Sequence, residues 1–326
     1  MKALQFVGDN RATINELTIP DIADDELLLA SRRVGICHSD IELLAGRYII
    51  PFSYPVTPGH EWSAEVIRAG RAVKSLGVGD RVVGECVIGA DHFGFSISGA
   101  AAEFFVAKES WLHQLPDNLS WTQGALVEPF SCGYYATLRA GDLDASDTVL
   151  VLGAGPIGLG IVAAAAGKGG RVLVAEPSRA RAEVALTLGA DAALDPTGPA
   201  FLEELAAVTG GAGASVVFEA SGRPEAMAVA LEAAAFRARL VYVGIDVGSS
   251  VPAKLGLFQS KELQARGIIG SPGVWPRTLR FLARSRVDLT PLVTSTYPLA
   301  KADDAVAAVL SDKSQIKVHL TSSATL

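Results

Sequence analysis

A run of glycines set between apolar stretches constrains this chain more than any other feature. In residues 147–166, DTVLVLGAGPIGLGIVAAAA, Thr148–Leu152 is β-branched-rich and apolar with no polar face. That is the pattern of a strand buried on both sides in a parallel sheet. Gly153, Gly155 and Gly158 follow in G-x-G-x-x-G spacing, and residues 157–166, from Ile157 on, read as a helix. The first glycine permits a tight turn, the second lets backbone approach a pyrophosphate, and the third lets helix and strand pack closely. Pro156 suits the first helical turn, and the helix N-terminus offers free N–H groups to an anion. Arg171–Ala175 reads as the next strand. It ends in Glu176, about 20 residues past the first glycine, where a carboxylate meets ribose hydroxyls. Strand, glycines, helix, strand and acid together predict a dinucleotide site; the glycine spacing alone would not.

The alternation continues. Strands are expected at Ala192–Leu194, 215–218 and 240–243, separated by alanine-rich helices over 179–188, 200–208 and 225–236, with a sixth strand over 262–269. Strands spaced by helices of about 10–15 residues imply a parallel, doubly wound sheet. Residues 1 to 120 differ. Short apolar segments at Lys2–Phe6, Glu26–Ile36, 63–69, 81–87 and 101–107 alternate with Gly, Pro and Asp, as in a small antiparallel barrel or sandwich. A short helix is expected over 38–45. After 271 the pattern is mixed, with helices at Trp275–Arg284 and 302–310 and a last strand over 315–320. The fold class is therefore α/β. A β-rich domain of residues 1–129 and 271–326 holds a nucleotide-binding domain of residues 130–270 inserted within it, and the crevice between them is the expected ligand site.

Bulk properties narrow the function. A net charge of -7 with no basic cluster argues against nucleic-acid and membrane-surface partners. The start of the chain, MKALQFVGDNRAT, lacks the apolar core of a secretory signal. Cys37, Cys86 and Cys132 are too few and scattered for a disulfide framework and suit a reducing cytoplasm.

Candidate metal ligands lie in three stretches: Cys37-His38-Ser39-Asp40, Gly59-His60-Glu61 and Glu128-Pro129. A catalytic zinc takes about three protein ligands from Cys, His and carboxylate and keeps a position open. Each residue alone also fits a bland role: a small buried thiol, a core histidine, a charge at a helix end. The context decides between them. V-G-I-C-H-S-D, P-G-H-E, V-G-D-R-V, V-E-P and G-A-G-P-I-G-L occur in this order along the chain. This series resembles the zinc-dependent medium-chain dehydrogenase/reductase family, and within it the sorbitol and other polyol, threonine and cyclitol dehydrogenases, which carry Glu-Pro where alcohol dehydrogenases carry a third zinc cysteine.

The resemblance implies a GroES-like catalytic domain beside a Rossmann domain. It implies one catalytic zinc held by Cys37 and His60, with Glu61 as a ligand or exchanging with water and Glu128 as a direct or water-bridged carboxylate. Ser39 would relay the substrate proton toward solvent, and Asp40 would orient a ligand from behind. Glu219-Ala220-Ser221-Gly222 and Val243-Gly244-Ile245 match loops that border the nicotinamide, so Ser221, Val243 and Gly244 join the cofactor residues. Relatives often carry a second, structural zinc on four cysteines; residues 84–102 hold only Cys86, with Asp91 and His92 in a surface loop. The arginine that polyol dehydrogenases often place after the last cofactor-domain strand is replaced by Ser271-Pro272-Gly273.

Glu176 favours NAD, since a carboxylate repels a 2′-phosphate; Arg179 and Arg181 leave NADP open. The implied reaction moves a hydride between a polyol, sugar or cyclitol secondary alcohol and NAD. Tyr48, Phe52, Tyr54, Phe93, Phe130 and Trp275 are candidate pocket walls, with Arg47 and Glu128 as polar anchors. Homodimers or homotetramers are expected, paired through residues 239–245 or 262–269 as sheet edges. Two rivals stand beside this: a zinc-free NADPH-dependent reductase of the same superfamily, and a catalytically silent nucleotide-binding protein.

Overall fold

A computed structural model describes all residues, Met1–Leu326. The chain divides into two compact units. One comprises Met1–Glu128, Trp275–Arg284 and Val293–Leu326; the other comprises Pro129–Val274 and Ser285–Leu292.

The first unit is built on a seven-stranded sheet. Its order is Val293–Pro298, Lys317–Thr321, Glu26–Ile36, Glu61–Ala69, Arg81–Gly84 and Leu112–Gln114, with Phe104–Lys108 also pairing Glu26–Ile36. All pairings are antiparallel except Val293–Pro298 with Lys317–Thr321. The long strand Glu26–Ile36 is the hub, because Leu27, Leu28 and Leu29 are fully buried on its two faces. An aromatic cluster of Trp62, Phe93 and Phe105, with centroids 4.8–5.7 Å apart, fills the core. Such edge-to-face pairs add to the burial of their area. The strand expected over 81–87 ends at Gly84, where Trp62 requires a glycine. A Cβ there would lie 2.5 Å from the Trp62 ring, so only glycine fits. Residues past the break form a small hairpin, Val87–Ile88 against Asp91–His92.

The second unit carries a six-stranded parallel sheet in the order Ala192–Leu194, Arg171–Ala175, Thr148–Leu152, Ala214–Glu219, Ala234–Tyr242 and Gln264–Gly267. This is the doubly wound order in which the first strand sits mid-sheet and the chain reverses direction across it. Val149, Leu150, Val151 and Leu152 are buried, as their unbroken apolar run requires. Two expectations need correction. The helix expected over 225–236 is Pro224–Ala233, because the next strand, Ala234–Tyr242, begins directly and runs longer than the expected 240–243. That strand is also interior, flanked by Ala214–Glu219 and Gln264–Gly267, so residues 239–245 are not a free sheet edge. The edge strand is Gln264–Gly267, and all of its residues are exposed.

A candidate zinc site and a dinucleotide cavity

Strand register explains why distant motifs meet in the first unit. Gly35 pairs with Glu61, and Ile36 pairs with Val318 on the other side. Cys37 leaves the end of the central strand and caps the helix His38–Leu44. Asp40, in that helix's first turn, accepts the Cys37 backbone N–H through Oδ2 at 2.8 Å. A carboxylate there satisfies an open helix donor and suits the positive end of the helix dipole. Gly59 has φ +100 and lies where a Cβ would meet Val34 at 2.8 Å and the Ala101 backbone at 2.9 Å. Only glycine can turn the chain so tightly into His60 and the strand Glu61–Ala69.

As a result Cys37 Sγ, a His60 ring nitrogen and a Glu61 carboxylate oxygen lie within 4.8 Å of one another. His60 and Glu61 are buried. Asp40 Oδ1 faces His60 Nδ1 at 3.4 Å, and Ser39 Oγ lies 3.4 Å from His60 Nε2. Burial by itself would depress the His60 imidazole, but Asp40 and then Cys86 more than offset it and hold it well above its usual range. Glu128 does not join the three-residue group. Burial pushes its carboxyl up to about 7 against the pull of His60, with Glu61 adding to the rise. A buried Glu61 Oε2 without a hydrogen-bond partner, beside a thiol, an imidazole and further carboxylates, is a donor set that suits a divalent cation. The residues present therefore fit a zinc ion. With three cysteines in the chain, a four-cysteine structural site cannot form; Asp91 and His92 lie in the small hairpin and are not part of the Cys37, His60 and Glu61 group.

The candidate wall residues separate. Phe93 belongs to the core cluster around Trp62. The Tyr54 hydroxyl donates to the Leu43 carbonyl, bracing the helix that holds Asp40. Trp275 stacks on His113 at 5.5 Å, and Arg47 pairs with Glu42 at the surface. Phe130 lies in the second unit, stacked on Tyr134 at 6.1 Å. Tyr48 is different: it stacks on Phe95 at 4.4 Å, and Phe95 in turn lies 4.9 Å from His60. Phe95 escaped sequence reasoning because it sits in a loop without periodicity.

The second unit holds a cavity of about 770 Å³. Gly153, Gly155, Glu176, Arg181 and Ser221 line it. Both Glu176 oxygens accept backbone N–H groups, Oε2 from Ala154 at 2.7 Å and Oε1 from Ser178 at 2.9 Å. Pro156, Ile157 and Gly158 start the helix Pro156–Gly167 beside it. Gly158 is tight against the turn, since a Cβ would fall 2.0 Å from the Gly153 carbonyl oxygen. Val243 and Gly244 are not among the cavity walls; their N–H groups bond the Glu219 carbonyl. Glu219 is buried and accepts from Ser221 and Gly222, clamping that loop. Thr197 and Arg223 line the cavity without having been singled out, because strand-end loops carry no spacing signal.

Residues 23–117 match the alcohol dehydrogenase GroES-like domain, and residues 156–284 match the zinc-binding dehydrogenase domain. Sorbitol dehydrogenase of Bacillus subtilis is 30% identical over 97% of this chain and 95% of its own. The chain belongs to the zinc-dependent medium-chain dehydrogenase/reductase family. Scyllo-inosose 3-dehydrogenase of Thermotoga maritima is 32% identical over 90% of this chain and 86% of its own. A solved protein of Sinorhizobium meliloti 1021, described as a zinc-binding dehydrogenase and bound to NADP, superposes with a TM-score of 0.91 at 25% identity, covering 98% of each chain. Family membership makes the chain a zinc-type, nicotinamide-dependent dehydrogenase with a GroES-like and a Rossmann part. No helix is long and apolar enough to cross a membrane.

Proposed function

We propose that this enzyme interconverts a secondary alcohol and a ketone on a polyol, sugar or cyclitol, using NAD(H) and one zinc ion. The observation that carries the reading is the convergence of Cys37, His60 and Glu61 within 4.8 Å. Thiolate, imidazole and carboxylate form a catalytic zinc set that leaves one position open. A zinc ion bound there would supply Lewis acidity to a substrate hydroxyl.

The chain's own groups do the rest. Cys37 and His60 hold the ion, with Glu61 as the exchangeable ligand and Glu128 as a further carboxylate nearby. Asp40 fixes the Cys37 backbone and faces His60 Nδ1, which sets the ring orientation. Ser39 Oγ is the hydroxyl that passes the substrate proton outward. Tyr48 and Phe95 form an apolar wall beside His60, and burial pushes the Tyr48 phenol up to about 12, so it stays neutral. In the second unit Gly153, Gly155 and the helix begun by Pro156, Ile157 and Gly158 take the pyrophosphate. Glu176, fixed by two backbone N–H groups, takes the adenosine ribose hydroxyls, and NAD is the preferred cofactor. Arg181 lines the same cavity, while Ser221, Val243 and Gly244 belong to the nicotinamide end. The polyol or cyclitol substrate is supported by the sorbitol and scyllo-inosose dehydrogenases among the relatives and by Glu-Pro at Glu128. A cytoplasmic homodimer or homotetramer, joined along the exposed strand Gln264–Gly267, completes the reading.

The test is a panel of polyols, cyclitols, simple alcohols and threonine, assayed with NAD and NADP alongside metal analysis. Turnover of polyols or cyclitols with NAD and about one zinc per chain is the expected result. Activity confined to simple aliphatic alcohols, or a higher kcat/KM with NADP, would reverse the corresponding part.

A further inference from the structure

Lys317 lies outside every motif the sequence singles out, yet it is buried at the candidate site. No other lysine or arginine in the chain is buried. Its side chain is 2% exposed, and that of Glu61 is 1% exposed. Nζ donates to Glu61 Oε1 at 2.7 Å and approaches the Ile36 carbonyl at 3.5 Å. Two charges survive such burial only when well paired. The strand Lys317–Thr321 delivers this lysine, because Val318 pairs with Ile36 one residue before Cys37.

The pairing is one-sided at the carboxylate. Oε1 is taken by the ammonium, while Oε2 is buried without a hydrogen-bond partner. Gly35 makes room for that oxygen, since a Cβ there would come within 2.3 Å of it. The donor atoms of Cys37 and His60 lie within 4.8 Å of a Glu61 carboxylate oxygen.

We propose that Lys317 is a positioning residue that occupies one oxygen of Glu61, offers the other to the cation, and keeps Glu61 an exchangeable ligand. This rests on the zinc reading above and deepens it. Without Lys317, the only partner for a buried Glu61 charge would be the cation itself. With Lys317, part of that charge is already neutralised, so Glu61 gives less to the cation and can release it without becoming an unpaired buried ion. An exchangeable carboxylate is what keeps a coordination position available for a substrate hydroxyl.

The experiment uses the full chain loaded with Co²⁺. Affinity is measured by competition with a chelator, and coordination by the visible d–d spectrum. Lys317→Met is expected to tighten Co²⁺ binding about tenfold, similar in size but opposite in sign to the loss usual when a residue behind a metal ligand is removed, and to alter the spectrum. Lys317→Arg should stay close to the parent. In a Glu61→Gln background, adding Lys317→Met should change neither readout. Equal or weaker binding by Lys317→Met with an unaltered spectrum overturns the proposal, as does an unfolded Lys317→Met that Co²⁺ fails to rescue. If the parent chain binds no Co²⁺ at all, the zinc reading falls with it.

Discussion

At the scale of single residues, the groups behind the donors matter as much as the donors. Asp40 holds the Cys37 backbone N–H and faces the His60 ring. Asp40→Ala should weaken zinc binding by roughly 10–100-fold, read by chelator competition; unchanged affinity would remove Asp40 from the site. His319 makes a prediction of another kind. It is fully buried, and neither ring nitrogen has a hydrogen-bond partner. Burial, then Lys317 and Arg33, lowers its pKa from 6.5 to about 3. The folded chain therefore keeps His319 neutral where the unfolded chain takes up a proton. Stability from this residue is complete above pH 6.5 and is lost as pH falls from 6.5 toward 3, by about 1.4 kcal/mol per pH unit. Urea denaturation between pH 7 and 5 should show that slope, and His319→Leu should remove this part of it. A variant with the parent's full slope would mean that His319 is protonated in the fold.

At the scale of elements, register and anchoring set which loops can meet. In the cofactor unit, Asp147 precedes the first strand and accepts the Ser215 hydroxyl at 2.8 Å and an Arg239 guanidinium N–H. One buried carboxylate thus ties the starts of Thr148–Leu152 and Ala214–Glu219 to the middle of Ala234–Tyr242. Asp147→Ala should destabilise the protein by about 2–3 kcal/mol, below the usual 3–5 for a broken buried pair because Arg239 retains partial exposure. Thermal or urea unfolding checks it, and a change under ~0.5 kcal/mol would show the tie to be idle. The short elements of this unit were legible in advance, since Thr148–Leu152 and Arg171–Ala175 are unbroken apolar runs bounded by glycine and acid. The strand Ala234–Tyr242 was legible only at its end, 240–243. Its first residues continue the alanine-rich composition of the preceding helix, and composition alone does not say where a helix gives way to an extended chain. Val293–Pro298 was missed for a different reason: it pairs in parallel with a strand beyond the next helix, so nothing local marks it.

At the scale of the whole molecule, exposed apolar side chains gather where adjacent strands of the parallel sheet end. Ile245 is 64% exposed, Val247 98% and Ile269 71%. Beside them the strand Gln264–Gly267 leaves one side unpaired. An open edge with apolar flanks favours pairing with another chain. If the chain assembles through this edge, Val247→Asp combined with Ile269→Asp should lower the species seen by light scattering from a multiple of 33.9 kDa toward a single chain. An unchanged assembly would place the contact elsewhere on the surface.

The amino-acid order alone determined the dinucleotide turn and the α/β class, and it offered Cys37 and His60 as donors while leaving the carboxylate open between Glu61 and Glu128. The turn and the class rest on short-range chemistry, glycines where a side chain would clash and an apolar run where both faces are covered, whereas the donors stand out only through the order of their motifs along the chain. Only the tertiary structure decided that Lys317 stands against Glu61, that Phe95 rather than Phe93 faces His60, and that residues 239–242 belong to an interior strand. Those outcomes depend on which strands become neighbours and in what register. Pairing between residues hundreds of positions apart leaves no periodic trace in the chain, because the free energy that selects it comes from burial and charge matching that arise only once the sheet has closed.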